Sequence, residues 1–361
     1  MDKSKKYVFT IRSLTGGGAE RVVSVLANHM VEDGYNVSII CYGKTDHDYI
    51  LSPKVNIYFM PTRSNNIRGK ISRISDMRSI MQTIKPDVVI PFVGTVLFVS
   101  YIVSKTMNVP FVRTVRISPW MEEGGKLQSI IRNHLNYRAL AIMVQNEEQI
   151  EFFPEKLRNK IFVVPNPISD EFLTKTKSEY RTSIKKFISV GRLTKQKNHE
   201  LLIRAFSKIV ETNEQLSLDI YGNGPEEDNL KALINELHLE SKCCLKGRSD
   251  TIIDELVTSD VFVLTSDFEG MPNALMEAMA VGLPCISSDC RTGPKTLIDN
   301  EKDGLLFKTG DIDDLIAKML WCLNHPESGM EMGKLARRKI ISQYSYDMIY
   351  KSLIKMITAL N

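Results

Sequence analysis

Short runs of β-branched and aromatic residues alternate along this chain with stretches whose apolar positions recur at helical spacing. Residues 7–11, 36–41, 56–59, 87–92, 110–115, 141–144 and 160–164 predict strands in the first half. Residues 187–190, 216–221, 243–245, 261–265, 285–288 and 304–307 predict strands in the second. Helical patterns fall between them, for example over 19–32, 71–84 and 199–211. Strand and helix alternating in this way predict α/β architecture, with parallel sheets covered by helices on both faces. The pattern starts afresh at Phe187, so two doubly wound, Rossmann-like domains are expected, each binding ligands at the carboxyl ends of its strands.

The predicted organisation is an N-terminal domain over 1–168, a linker over 169–186, a C-terminal domain over 187–343 and a final helix over 344–361. Pro165-Asn166-Pro167 stiffens the exit from the first domain, and the polar run 174–186 has too few apolar residues for a strand. The final helix shows Met348, Ile349, Leu353, Ile354, Met356 and Ile357 at helical spacing.

Composition narrows the class. At 361 residues, 43% hydrophobic and 25% charged, each half is long enough to bury its own core as an ordinary soluble protein does. Cys41, Cys243, Cys244, Cys285, Cys290 and Cys322 form no paired framework and no metal spacing, which points to buried thiols in a reducing compartment. The charged start, Met1-Asp2-Lys3-Ser4-Lys5-Lys6, has no signal-peptide apolar region, and a cytoplasmic location is expected. Net charge is +7 over residues 1–180 and −3 over the rest, which together give +4. A basic first half calls for an anionic partner.

Chemistry concentrates in the turns after strands. After 261–265 comes Phe268-Glu269-Gly270-Met271-Pro272-Asn273-Ala274-Leu275-Met276-Glu277, a loop that breaks into a helix, with Pro272 suited to the first helical position. A helix start offers free N–H groups and partial positive charge to a phosphate, while a carboxylate at the same mouth accepts hydrogen bonds from hydroxyls. That pairing suits a sugar diphosphate better than a bare anion. A plain amphipathic helix with solvated glutamates fits the same string. Gly16-Gly17-Gly18-Ala19-Glu20-Arg21 opens the first helix without being a dinucleotide fingerprint or a P-loop. Gly191-Arg192-Leu193-Thr194-Lys195-Gln196-Lys197-Asn198 sets two cations beyond a strand, and Gly222-Asn223-Gly224-Pro225 and Lys246-Gly247-Arg248 follow the next two.

Two glutamates separated by seven residues, in the Gly-Met-Pro-Asn-Ala-Leu-Met context, resemble the signature of retaining GT-B glycosyltransferases. More narrowly the chain resembles glycosyltransferase family four (glycosyl transferases group 1), of the bacterial surface-polysaccharide type. The likeness spans nearly the whole chain and is strongest over 187–306. It implies two Rossmann-like domains facing a central cleft, with the C-terminal helix returning to the N-terminal domain. It implies retaining, metal-independent transfer of a hexose or N-acetylhexosamine from a nucleotide sugar, UDP-linked, to a lipid-linked saccharide in polysaccharide or glycan assembly. The nucleotide sugar is a co-substrate, and no other cofactor is implied.

Carried over by position, Arg192 and Lys197 neutralise the departing diphosphate and, with Glu269 at the donor sugar near the reacting carbon, form the catalytic set. Glu277 accepts the ribose hydroxyls. Gly17 and Gly18 lie beside the transferred sugar; Gly222, Gly224 and Arg248 border the nucleotide; Gly270, Met271 and Pro272 face sugar and phosphate. One departure stands out. Many relatives carry a histidine after the fifth strand, where this chain reads Val112-Arg113-Thr114-Val115-Arg116-Ile117-Ser118-Pro119. Arg113 or Arg116 is therefore the candidate on the acceptor or sugar side. The basic run Arg63, Arg68, Lys70, Arg73, Arg78 and Lys85 surrounds Ile67, Ile71, Ile74 and Met77, the pattern of a helix that lies on anionic lipid at the inner face of the cell membrane. Packing of that stripe on the protein's own sheet fits as well. No base-reading motif accompanies the charge, so nucleic acid is not an expected partner. A non-catalytic sugar-nucleotide-binding protein and a nucleotide-sugar epimerase on the same fold are the alternatives.

Overall fold

Every run predicted as a strand is one in this computed structural model, which describes residues 3–15, 18–42, 50–64, 66–92, 94–121, 126–177 and 183–360. The strands of the first half are β1 (Lys6–Ile11), β2 (Asn36–Cys41), β3 (Asn56–Phe59), β4 (Val88–Pro91), β5 (Val112–Thr114), β6 (Ala141–Val144) and β7 (Ile161–Val163). Those of the second are β8 (Lys186–Val190), β9 (Ser217–Tyr221), β10 (Cys243–Gly247), β11 (Val261–Leu264), β12 (Cys285–Ser288) and β13 (Leu305–Phe307). The helices are α1 (Gly18–Glu32), α2 (Ile67–Ile84), α3 (Thr95–Met107), α4 (Lys126–Arg138), α5 (Asp170–Thr174), α6 (His199–Val210) and α7 (Glu227–Glu236). They continue with α8 (Ile252–Thr258), α9 (Asn273–Ala280), α10 (Pro294–Leu297), α11 (Ile312–Asn324), α12 (Pro326–Tyr344) and α13 (Tyr346–Ala359).

The chain divides into two compact units, Met1–Pro167 with Ile349–Asn361, and Ile168–Met348. In the first, one parallel sheet runs β3-β2-β1-β4 and a second runs β5-β6-β7. A parallel bridge between Val89 and Phe111, with the Val89 N–H on the Pro110 carbonyl at 3.0 Å, joins the two at their β4 and β5 edges. In the second unit a single parallel sheet runs β10-β9-β8-β11-β12-β13. Both orders wind outward in two directions from the first strand of the unit, which sets a switch point between β1 and β4 and another between β8 and β11. Strands of such sheets are buried on both faces, and β11 and β12 read as unbroken buried runs for that reason.

The last helix belongs to the first unit from Ile349 onward, where Ile349, Leu353, Met356 and Ile357 are buried and Tyr350 Oη donates to Asp33 Oδ2 at 2.6 Å.

Three local expectations need correction. The segment 169–186 was expected as a linker, yet its described residues pack into the second unit. Phe172 of α5 is buried, and Arg337 of α12 donates to the carbonyls of Phe172, Leu173 and Lys175. Lys177 is buried with its Nζ on the Val257 and Ser259 carbonyls and 3.7 Å from Asp260 Oδ1. One apolar anchor and one buried cation tie down a run whose composition reads as loop. Pro272 is not the first helical residue: it sits one position earlier, at φ −78°, ψ 101°, with its carbonyl accepting from Met276 N–H. Its missing N–H is as harmless there, and the extended backbone carries the preceding loop away from the helix. Finally, α2 starts at Ile67 rather than at 71, because the Asn66 side chain caps it by accepting from Gly69 N–H at 2.8 Å.

Among the described residues, no helix is long and apolar enough to cross a membrane.

Candidate functional site

The sequence candidates of the second unit gather at the carboxyl ends of its strands. β8 and β11 are neighbours across the switch point, so the turn after β8 meets the loop after β11. Lys197 Nζ donates to Glu269 Oε1 at 2.5 Å, and Ser266 Oγ donates to the same oxygen at 2.7 Å. Around this pair the backbone is clamped. Gln196 Nε2 donates to the Phe268 carbonyl, Asp267 N–H to the Gln196 carbonyl, and Thr265 Oγ1 to the carbonyls of Lys197 and Asn198. Asn198 occupies the left-handed region at φ 48°, ψ 46°, caps α6 through Leu201 N–H, and donates to Asp267 Oδ1 at 2.9 Å. Asn tolerates that conformation better than most residues.

Glycines make the close approaches possible. Gly222 has φ +138°, and a Cβ there would lie 1.9 Å from the Gly191 carbonyl oxygen. A Cβ on Gly224 would lie 2.2 Å from the Leu193 carbonyl oxygen. The turn after β9 is thereby pressed on the Gly191-Arg192-Leu193 turn, stitched by Leu193 N–H on the Asn223 carbonyl and Glu226 N–H on the Leu193 carbonyl, both at 3.0 Å. Gly293, at φ +93°, lies so near Gly270 and Pro272 that a Cβ would come within 2.9 Å of each. The Thr292 hydroxyl also donates to the Glu269 carbonyl. Loops after β8, β9, β11 and β12 thus converge on one edge.

Glu269 is 6% exposed and Glu277 4% exposed, so neither is the solvated surface carboxylate of the plain amphipathic reading. Gly270, Met271 and Pro272 are buried beside them, whereas Arg192 and Arg248 are exposed. Lys197 is 15% exposed and its stem lies 3.4 Å from where a Cβ on Gly191 would be. His199 is buried at the start of α6, and burial first, then the charge of Lys197, push its imidazole down to about 4, so it is neutral at pH 7. The hydroxyls of Ser266 and Thr265 were missed, for small hydroxyls after a strand give no signal in a single sequence.

In the first unit, Gly18 opens α1, while Gly17 lies outside the described residues. Arg113 is buried, with Nη1 on the Thr114 carbonyl. Arg116 is half-buried after β5; its Nη1 donates to the Val164 carbonyl and to Asn166 Oδ1, each at 3.2 Å, and its guanidinium lies 4.7 Å over the Phe92 ring. Burial holds its pKa down to about 9.

Two family models match the chain: glycosyltransferase family 4 over residues 16–172, and glycosyl transferases group 1 over 171–339. The chain is 26% identical over 337 residues to an uncharacterized glycosyltransferase of Haemophilus influenzae, covering 92% of this chain and 94% of that one. It is 28% identical over 356 residues to the UDP-Gal:alpha-D-GlcNAc-diphosphoundecaprenol alpha-1,3-galactosyltransferase of Escherichia coli, covering 91% and 90%. Its structure is similar to that of Anabaena HepE in complex with UDP and glucose, with a TM-score of 0.83 at 16% identity, covering 98% and 99%. At that identity the last likeness is one of fold.

Proposed function

This chain belongs to the glycosyltransferases of group 1 and family 4 and has their GT-B fold, and from that premise we propose that it moves a hexose or N-acetylhexosamine from a UDP-linked sugar to a lipid-linked saccharide, with retention at the anomeric carbon. The observation that carries the reading is the buried Lys197–Glu269 pair beside the start of α9. When the bond between the anomeric carbon and the diphosphate oxygen breaks, its electron pair leaves with the diphosphate. Arg192, Lys197 and the N–H groups at the start of α9 supply positive charge to that leaving group, in place of a metal. Glu269, tied to Lys197, takes hydroxyls of the donor sugar, and Glu277 takes those of the ribose. The Escherichia coli relative, whose name states a UDP-linked donor and a diphosphoundecaprenol-linked acceptor, supports these substrate classes.

A panel of nucleotide sugars, each incubated with lipid-linked saccharides and assayed for released nucleoside diphosphate, tests this. One UDP-sugar is expected to react in an acceptor-dependent way, unchanged by EDTA. Binding without turnover by any pair favours the non-catalytic alternative, and an altered donor sugar without acceptor favours the epimerase. Loss of turnover in EDTA contradicts the metal-free mechanism.

We further propose that the chain sits peripherally on the cytoplasmic face of an anionic membrane through α2. This helix leaves Ile67 76% and Ile71 62% exposed, one turn apart, with Arg68, Lys70 and Arg78 exposed around them. Not all of the basic run is free for lipid. Arg63 is held by Asp76 through two hydrogen bonds of 2.8 and 2.9 Å, and Arg73 Nη2 donates to the Arg63 carbonyl. Each exposed cation near the surface contributes about 1 kcal/mol. Reversing Lys70 and Arg78 to Glu is therefore expected to release the protein from anionic vesicles in a sedimentation assay, as raised salt does for the wild type. Sedimentation indifferent to both changes returns α2 to the status of packing surface.

A further inference from the structure

The carboxyl ends of β5, β6 and β7 bring together polar side chains that the transfer step above leaves unused. Asn166 Oδ1, after β7, accepts from Arg116 Nη1 at 3.2 Å and from Gln145 Nε2, after β6, at 3.1 Å. Phe92, just past β4, supplies its ring face to the guanidinium. No carboxylate pairs with Arg116 among the described residues. Arg116 Nε and Nη2 are buried without a hydrogen-bond partner, as are Ser118 Oγ and Gln145 Oε1. A water would satisfy such donors, but it would not balance the charge. Carbonyl dipoles and one ring face offset only part of the cost of holding a guanidinium out of bulk water.

The two unpartnered Arg116 donors are informative as a pair. Nε and Nη2 form the side-on edge of the guanidinium, the edge that grips two oxygens of one anion at once. Arg63 of this same chain uses that edge on Asp76, with Nε on Oδ2 and Nη2 on Oδ1. At Arg116 the edge is present, and among the described residues no carboxylate occupies it. We propose that Arg116 forms an anion subsite at the carboxyl edge of the first unit that takes a phosphate-class oxyanion of a substrate. Asn166 and Gln145 are positioning residues that hold the guanidinium in register. The subsite rests on the transferase reading for the source of its anion, a phosphate linking the acceptor saccharide to its lipid.

Equilibrium dialysis of labelled inorganic pyrophosphate against the full chain tests this. Two sites per chain are expected, one lost in Lys197→Ala and the other in Arg116→Gln. Arg116→Lys, which keeps the charge and loses the fork, is expected to weaken the second site by about tenfold or more. If circular dichroism shows that Arg116→Gln fails to fold, Arg116→Lys carries the test alone. Pyrophosphate binding equal to wild type in the folded Arg116 variants overturns the subsite. Competitors then assign the source. Farnesyl diphosphate displacing the Arg116-dependent pyrophosphate, with UDP displacing only the Lys197-dependent one, identifies the acceptor's phosphate. UDP displacing both contradicts the acceptor phosphate as the source. UDP displacing neither defeats the transferase reading while the anion subsite stands.

Discussion

Replacing Lys197 by Ala is expected to lower turnover about 100-fold or more, the effect of removing one positioned donor from a developing anion. Its ammonium lies 2.5 Å from Glu269 Oε1 in a largely buried pair. The substitution therefore has a second expected effect, because a buried carboxylate left without its cation destabilises a protein by about 3–5 kcal/mol. Arg192 is exposed, so Arg192→Ala is expected to share the kinetic loss without the loss of stability. The double variant Lys197→Ala/Glu269→Gln removes the orphaned charge and is expected to regain part of the stability and none of the turnover. Urea midpoints and kcat for the three variants check this. Near-normal kcat in both single variants removes these cations from the reaction.

The second large effect divides the two buried glutamates. Glu277 is assigned to the ribose, which donor and product share, so Glu277→Gln is expected to weaken UDP binding about tenfold, the scale of a hydrogen bond to a charged group. Glu269 is assigned to the donor sugar, which UDP lacks. Glu269→Gln is thus expected to leave UDP affinity within about twofold while transfer falls about 100-fold. Calorimetric titration of UDP beside a transfer assay separates the two, and equal loss of UDP affinity in both variants contradicts the division.

How much of this was legible in the sequence varies with how local the cause is. Strands buried on both faces read as apolar runs, and β2, β6 and β12 begin and end where the pattern places them. The candidates of the second unit could be singled out because each lies in a turn after a strand or in the helix that follows it. What stayed hidden depends on chain segments far apart in sequence. Nothing near Glu269 announces that Ser266 and Lys197 share its Oε1, since Lys197 arrives from the turn after β8. The anchoring of 169–177 depends on Arg337 and Asp260, which are distant along the chain. Among the described residues, the groups that meet Arg116 from the segments after β4 and β7 are neutral: the Phe92 ring, the Val164 carbonyl and the Asn166 amide. A pattern of residue types carries no trace of that.

Hydrogen exchange followed by mass spectrometry, with and without UDP, tests the central claim most directly, because it reports which backbone segments the nucleotide covers. The account predicts slowed exchange confined to the second unit, in the turns spanning residues 191–197, 222–226 and 246–248 and at the start of α9, with all four effects lost in Lys197→Ala. Protection elsewhere with these segments unchanged, or no protection at saturating UDP, contradicts it.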